Sequence, residues 1–287
     1  MQLEKEIAWW KPVLLAALAG GMGWGIRGQY GHETGAMNAG VLVSLTLCFL
    51  LCPRMPIRQL VSAIALGIVA MGIGGSMTYG QTVGLTHDHN LVGNLEAFRW
   101  GFIGLFVKGG IWISFFAVFL GMGLSGVRYR SRDMLVLMLS ALGAYQIGVL
   151  LLNEPFYPAD KVLPNFYFSD SWYFEPEGGI KPRRETWGGL LFALTTVFIY
   201  AGYWMKDKLA RNMALWGLLG GGLGFSLGQC VQAWNAWNAG VYAESFMKDI
   251  PMNWWNNMET TFGTIMGAVV GLGLWLNRDQ SAVSTDS

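Results

Sequence analysis

Charge is what this sequence has least of. Lysine, arginine, aspartate and glutamate make up 13% of its 287 residues, while hydrophobic residues make up 53%. A soluble domain carries about a quarter charged residues, so this composition excludes an ordinary soluble fold. Mean hydropathy of +0.38 agrees, and the chain reads as an integral membrane protein whose main partner is the lipid bilayer. The net charge of +1 supplies no basic surface for nucleic acid. Cysteine is scarce as well. Cys48, Cys52 and Cys230 are the only three, all in apolar runs, and they are read as reduced filler with no disulfide framework. No serine or cysteine nucleophile motif stands out. The start, MQLEKEIAWWKP, mixes acidic residues with its lysines. No small-residue cleavage site follows, so the first apolar run is expected to be a retained helix and not a signal peptide.

What is abundant fits the same solvent. The 14 tryptophans and 40 glycines suit a membrane protein, because Trp collects at bilayer interfaces and Gly is common in membrane helices. Spanning the hydrocarbon core takes about 20 apolar residues. Eight segments meet or approach that length: Pro12 to Gly28, Gly35 to Cys52, Leu60 to Gly80, Trp100 to Gly126, Met134 to Leu152, Trp187 to Trp204, Met213 to Val231 and Thr261 to Leu276. Three short linkers carry Arg54, Arg58, Arg128, Arg130, Arg132, Lys206, Lys208 and Arg211. Short cytoplasmic loops are rich in such residues, so both termini are expected in the cytoplasm, in a membrane such as a bacterial inner membrane. Residues 278–287 read as a disordered cytoplasmic tail. The long connections 153–184 and 232–258 are aromatic and amide-rich, and loops of that length are usually functional or disordered. Their aromatic content argues against disorder, so they are expected to cap the outer face.

Laying the outward corners over one another suggests a repeat. Gln29, Gln81, Gln146 and Gln229 lie near the end of the first helix of each pair, and Glu33, Glu96, Glu185 and Glu259 open the second. The expected fold is therefore an all-α polytopic membrane protein, one domain of eight transmembrane helices arranged as four tandem hairpins at about 9–52, 58–126, 132–204 and 211–277. Binding sites in membrane proteins with repeats commonly lie where the repeats meet. A glutamate in a first turn is stabilised by the helix dipole and can be a simple capping device. The glutamines weigh against that reading for all four corners, since an amide at membrane depth must find hydrogen bonds within the protein. The glycine-rich runs at Ala19 to Gly28, Gly72 to Gly80 and Gly217 to Gly228 have the small-xxx-small spacing of close helix contacts. They lie inside spanning segments, which excludes a phosphate loop.

Two further groups bear on chemistry. All three histidines, His32, His87 and His89, fall in the first two outward corners beside Glu33 and Asp88. Imidazoles with a carboxylate form a ligand set for a divalent transition metal, and ordinary hydrogen bonding is the competing reading. Arg27, Arg99 and Lys108 are placed to form a ladder of cations toward an anionic group. Lys108 sits near mid-membrane, where an ionised side chain must be paired or wet.

The inner halves of the helices are nearly free of polar groups, whereas a transporter or channel needs polar groups along a whole path. An outward pocket with a closed floor follows. The leading expectation is a membrane-embedded hydrolase acting on a saccharide or an anionic head group. In that reading Glu33, Glu96, Glu185 and Glu259 supply glycosidase-like carboxylate chemistry, with a divalent metal as a further possible helper. The ligand would be held by Arg27, Gln29, Gln81, Arg99, Lys108, Gln146 and Gln229, and His32, His87, Asp88 and His89 would hold the metal. The alternatives are a transporter or channel for a small polar or anionic solute, and a non-catalytic subunit that assembles with copies of itself or with a partner subunit.

Overall fold

A computed structural model describes residues 7–77, 79–152, 186–245 and 253–282. They form ten helices: α1 (Trp10–Gly25), α2 (His32–Leu51), α3 (Ile57–Gly75), α4 (Gly80–His87), α5 (Leu95–Leu124), α6 (Ser131–Leu152), α7 (Trp187–Ile199, continued by a π-turn at Tyr200–Trp204), α8 (Lys208–Trp237), α9 (Ala239–Ala243) and α10 (Trp254–Leu276). No strand occurs among the described residues; an isolated bridge joins Ser125 to Ser281. Seven helices are long and apolar enough to cross a membrane: α2, α3, α5, α6, α7 with its π-turn, α8 and α10. The first expected span is the exception. α1 has 16 residues, which at about 1.5 Å per residue reaches about 24 Å, short of a hydrocarbon core of about 30 Å.

Six helices close a ring in which α1 packs on α2, α2 on α3, α3 on α5, α5 on α8, α8 on α10, and α10 back on α1. Glycine makes two of these contacts intimate. A Cβ on Gly20 or Gly263 would overlap the other residue's carbonyl, and Gly109 and Gly221 stand in the same relation. The α1/α10 and α5/α8 backbones therefore touch, the close approach that small residues permit in lipid. The ring is filled by aromatics. Trp112 packs edge-on against Trp24 at 5.0 Å, Trp24 lies 4.5 Å from Phe262, and Phe225 stacks on Phe262 at 5.0 Å. The α6/α7 pair stands beside the ring. Only 17% of the apolar window of α6 is buried, against 83% for α5, so α6 is left to face lipid.

Several elements differ from the sequence reading. The stretch 232–258 is not all loop, because α8 continues to Trp237 and α10 begins at Trp254. Gln232 is buried and the Trp237 indole N–H donates to the Thr86 carbonyl, which ties this extension to the bundle. Arg278–Gln280 form a 3-10 turn instead of a free tail, and Ser281 is buried. An amide network explains the order: Asn212 donates to Asn277 at 2.7 Å, and Gln280 donates to Asn277 at 3.2 Å. The connection 153–184 lies outside the described residues.

Candidate functional site

The first corner turns inward. After α1 the chain makes a 3-10 turn at Arg27–Gln29, then passes through Gly31 at φ 79° before α2 begins. That left-handed conformation favours glycine. The turn aims Arg27 into the ring, where it is 3% exposed. Its Nη1 donates to Glu259 Oε1 at 2.5 Å and to the Tyr79 hydroxyl at 2.7 Å, and its Nη2 donates to His32 Nδ1 at 2.8 Å. The guanidinium carbon lies 5.2, 5.6 and 5.7 Å from the ring centroids of Trp24, Tyr79 and Trp112, within the range of cation–π attraction. A buried ion needs this much compensation, because removal from water costs several kcal/mol per charge.

Above this group is a cavity of about 440 Å³, lined by Arg27, Gly28, Gln29, His32, Tyr79, Gly80, Asn253, Trp255, Asn256 and Glu259. The volume falls within the range of about 300–1,000 Å³ typical of small-molecule sites. Three corners converge here. The first supplies Arg27, Gly28, Gln29 and His32, the second Tyr79 and Gly80, and the start of α10 supplies the remaining four residues. Arg27, Tyr79 and Glu259 form the buried base, while Gln29, His32, Asn253 and Trp255 are exposed at the rim. Asn253 caps α10, its Oδ1 accepting from the Asn256 amide at 3.2 Å.

Of the residues singled out in the sequence, Arg27, Gln29, His32 and Glu259 line this pocket. Glu33, Glu96 and Arg99 do not; all three are exposed. Gln146 is exposed on α6 and does not line the cavity. Gln81 lies in the first turn of α4, with its side chain outside the description, and Glu185 lies outside the described residues.

Lys108 and Gln229 belong to a second polar cluster instead. Lys108 is fully buried and donates to Thr82 Oγ1 at 2.6 Å, while Gln229 donates to Thr86 Oγ1 at 2.8 Å. Both hydroxyls come from α4, a short buried helix that the sequence reading missed. Its signal was the pattern Thr82, Val83, Leu85, Thr86, whose side chains are all buried.

The expected metal cluster does not form. Among the described residues no three His, Cys, Asp or Glu side chains stand together as a metal-binding group. His32 Nδ1 faces Arg27, His87 Nδ1 donates to the Val83 carbonyl at 2.9 Å, and Asp88 accepts from the Asn90 amide. His89 is exposed. Backbone partners within α4 and in the turn after it thus take His87 and Asp88, which were expected on a metal.

The sequence missed Tyr79, Asn253, Trp255 and Asn256. Tyr79 lies within the glycine-rich run Gly72 to Gly80, which was read only as close helix packing. The run NWWNN at Asn253 to Asn257 was visible, but it was assigned to a loop and not to a helix start at the site.

The fold and this site together define a helical membrane protein with a polar cavity at one end of its bundle. Comparison with protein-family models, with curated proteins and with solved structures found no match.

Proposed function

We propose that this is an integral membrane protein of eight spans, with both termini cytoplasmic, that takes a small polar ligand from the opposite side into the Arg27–Glu259 pocket. One observation carries the reading: a buried ion pair stands at the base of an open cavity whose rim is polar. The basic linkers at 53–58, 127–132 and 206–211 lie at the far end of the helices from this cavity, which supports the orientation through the cytoplasmic bias of Lys and Arg. α1 is the eighth span in this reading, its 16 residues extended by the 3-10 turn at Arg27–Gln29. Its exposed residues include Leu14, Leu15, Leu18 and Met22, and the buried Arg27 turn carries the chain onward to α2.

A saccharide or a polar head group suits the lining. Amides of Gln29, Asn253 and Asn256 offer donors and acceptors, and the Trp255 ring offers an apolar face with a polar edge. Transport is the weaker reading, because Arg27 sits directly on the rings of Trp24, Tyr79 and Trp112 and a carrier needs a polar path beyond its site.

Hydrolysis is the catalytic form of the proposal. Glu259 is the only carboxylate that lines the cavity among the described residues, and His32 shares Arg27 with it. Glycoside cleavage by paired carboxylates requires a second, and Glu185, a candidate from the sequence, lies outside the described residues. The test is to measure saccharide binding and product release with purified protein, and uptake in sealed vesicles, for the wild type and Glu259→Gln. Turnover lost in the variant supports hydrolysis, binding alone supports a receptor, and uptake supports a carrier. Absence of all three in the wild type overturns the reading.

A further inference from the structure

From the charge of the cavity we infer the ligand class: an uncharged, hydroxyl-rich group and not an anion. The inference rests on the reading of this cavity as a ligand site. Arg27 is already paired with a carboxylate: its two terminal nitrogens donate to Glu259, Tyr79 and His32 at 2.5, 2.7 and 2.8 Å, while its buried Nε–H has no partner among the described residues. A guanidinium can only donate, so His32 Nδ1 is the bare nitrogen of a neutral Nε2–H ring. Among the described residues the charged lining groups are then Arg27 at +1 and Glu259 at −1, which sum to zero, and Gln29, Asn253, Trp255 and Asn256 add none. The other two cations expected to attract an anion are elsewhere. Lys108 is buried against Thr82, and Arg99 is exposed outside the lining.

An anion entering this cavity must either pull Arg27 from Glu259 or stand beside a buried carboxylate, and like charges repel strongly where water is scarce. A polyol meets neither obstacle. Its hydroxyls can donate to Glu259 and exchange hydrogen bonds with the rim amides, and its C–H surface can lie on Trp255. Glu259 is thereby a specificity determinant: it cancels the charge of Arg27 and admits neutral hydroxyls. The same chemistry arises from a free saccharide or from the head group of a neutral glycolipid.

The experiment uses the full-length protein in lipid nanodiscs and measures dissociation constants by native mass spectrometry. The probes are neutral mono- and disaccharides, their phosphate esters, and a neutral glycolipid incorporated in the disc. The wild type is expected to bind at least one neutral probe about tenfold or more tightly than its phosphate ester. Glu259→Gln, which preserves shape and leaves Arg27 unpaired, is expected to reverse that order. Binding of the free sugars identifies a soluble ligand, and binding of the glycolipid alone identifies a head group. Phosphate esters that bind the wild type as tightly as the neutral probes overturn the inference while leaving the pocket reading intact. A folded Glu259→Gln protein without the reversal also overturns it. If no probe binds the wild type, the pocket reading itself falls. The wild-type comparison stands even if the variant does not fold.

Discussion

Arg27 and Glu259 are 232 positions apart in the chain, yet their side chains meet at 2.5 Å with almost no exposure. This contact locks the turn after α1 to α10 and sets the base of the cavity. Removing one partner of a buried pair costs about 3–5 kcal/mol, whereas replacing both with apolar groups is often neutral. Arg27→Met should therefore lower stability by an amount in that range, and Arg27→Met with Glu259→Leu should recover much of the loss. Unfolding in a detergent titration checks this; equal losses in the single and double variants would contradict it.

The glycine contacts give a sharper structural test. A methyl group on Gly263 would overlap the Gly20 carbonyl, while one on Gly143 would meet nothing within 4 Å. Gly263→Ala should reduce the yield of monodisperse protein and lower its melting temperature. Gly143→Ala should be neutral, or up to about 1 kcal/mol stabilising through helix propensity. Size-exclusion profiles after graded heating distinguish the two.

Lys108 is fully buried, and Thr82 is one of its partners. Hydrogen bonds to charged groups contribute about 1.5–3 kcal/mol. Thr82→Val removes the acceptor and leaves the ammonium in place, so it should destabilise by roughly that amount. Lys108→Met removes the charge as well and should be better tolerated. Comparing the two unfolding midpoints decides; a greater loss in Lys108→Met would point to a role for the charge that this packing does not supply.

At the opposite end of the bundle Asp207 is buried. Its carboxylate caps α8 by accepting from the Ala210 amide, and it also accepts from the Ser125 hydroxyl at 2.6 Å and the Tyr129 phenol at 2.9 Å. Burial and the neighbouring Asp207 both push the Tyr129 pKa upward. A raised pKa means that the folded state holds the phenolic proton more tightly than the unfolded state. This stabilisation is fully present below about pH 10, the ordinary tyrosine value, and is lost only as pH rises through the higher folded value. Spectrophotometric titration should show fewer phenols ionising near pH 10 in the folded wild type than after unfolding, and Tyr129→Phe should reduce that difference by one.

The fold was far more legible than the site. Apolar run length picked out all seven helices that are long and apolar enough to cross a membrane, because membrane helices are specified by local composition, but α8 and α10 begin earlier, at Lys208 and Trp254, than the runs read from Met213 and Thr261. α1 was expected as a span from Pro12 to Gly28, but hydropathy does not register that Arg27 turns inward and that the helix ends at Gly25. α10 carries Gly263, Gly267 and Gly271 at a four-residue spacing, a readable signature of the contact it makes with α1. At the site, Arg27, Gln29, His32 and Glu259 were picked out as polar groups at corners, yet their partnership depends on which corners converge. That convergence is a long-range property of the ring. The four corners carry similar residues, but Glu33 and Glu96 are solvent-facing first-turn residues, while Glu259 is drawn inward by Arg27.

The most direct test of the central claim is the accessibility of Asn256, a lining residue, after substitution with cysteine in a chain whose Cys48, Cys52 and Cys230 are replaced. In sealed vesicles of known orientation, a membrane-impermeant maleimide should modify Asn256→Cys only from the non-cytoplasmic side, and a saturating neutral saccharide or glycolipid should slow the reaction. Modification from the cytoplasmic side, or a rate that none of these ligands changes, would contradict the account.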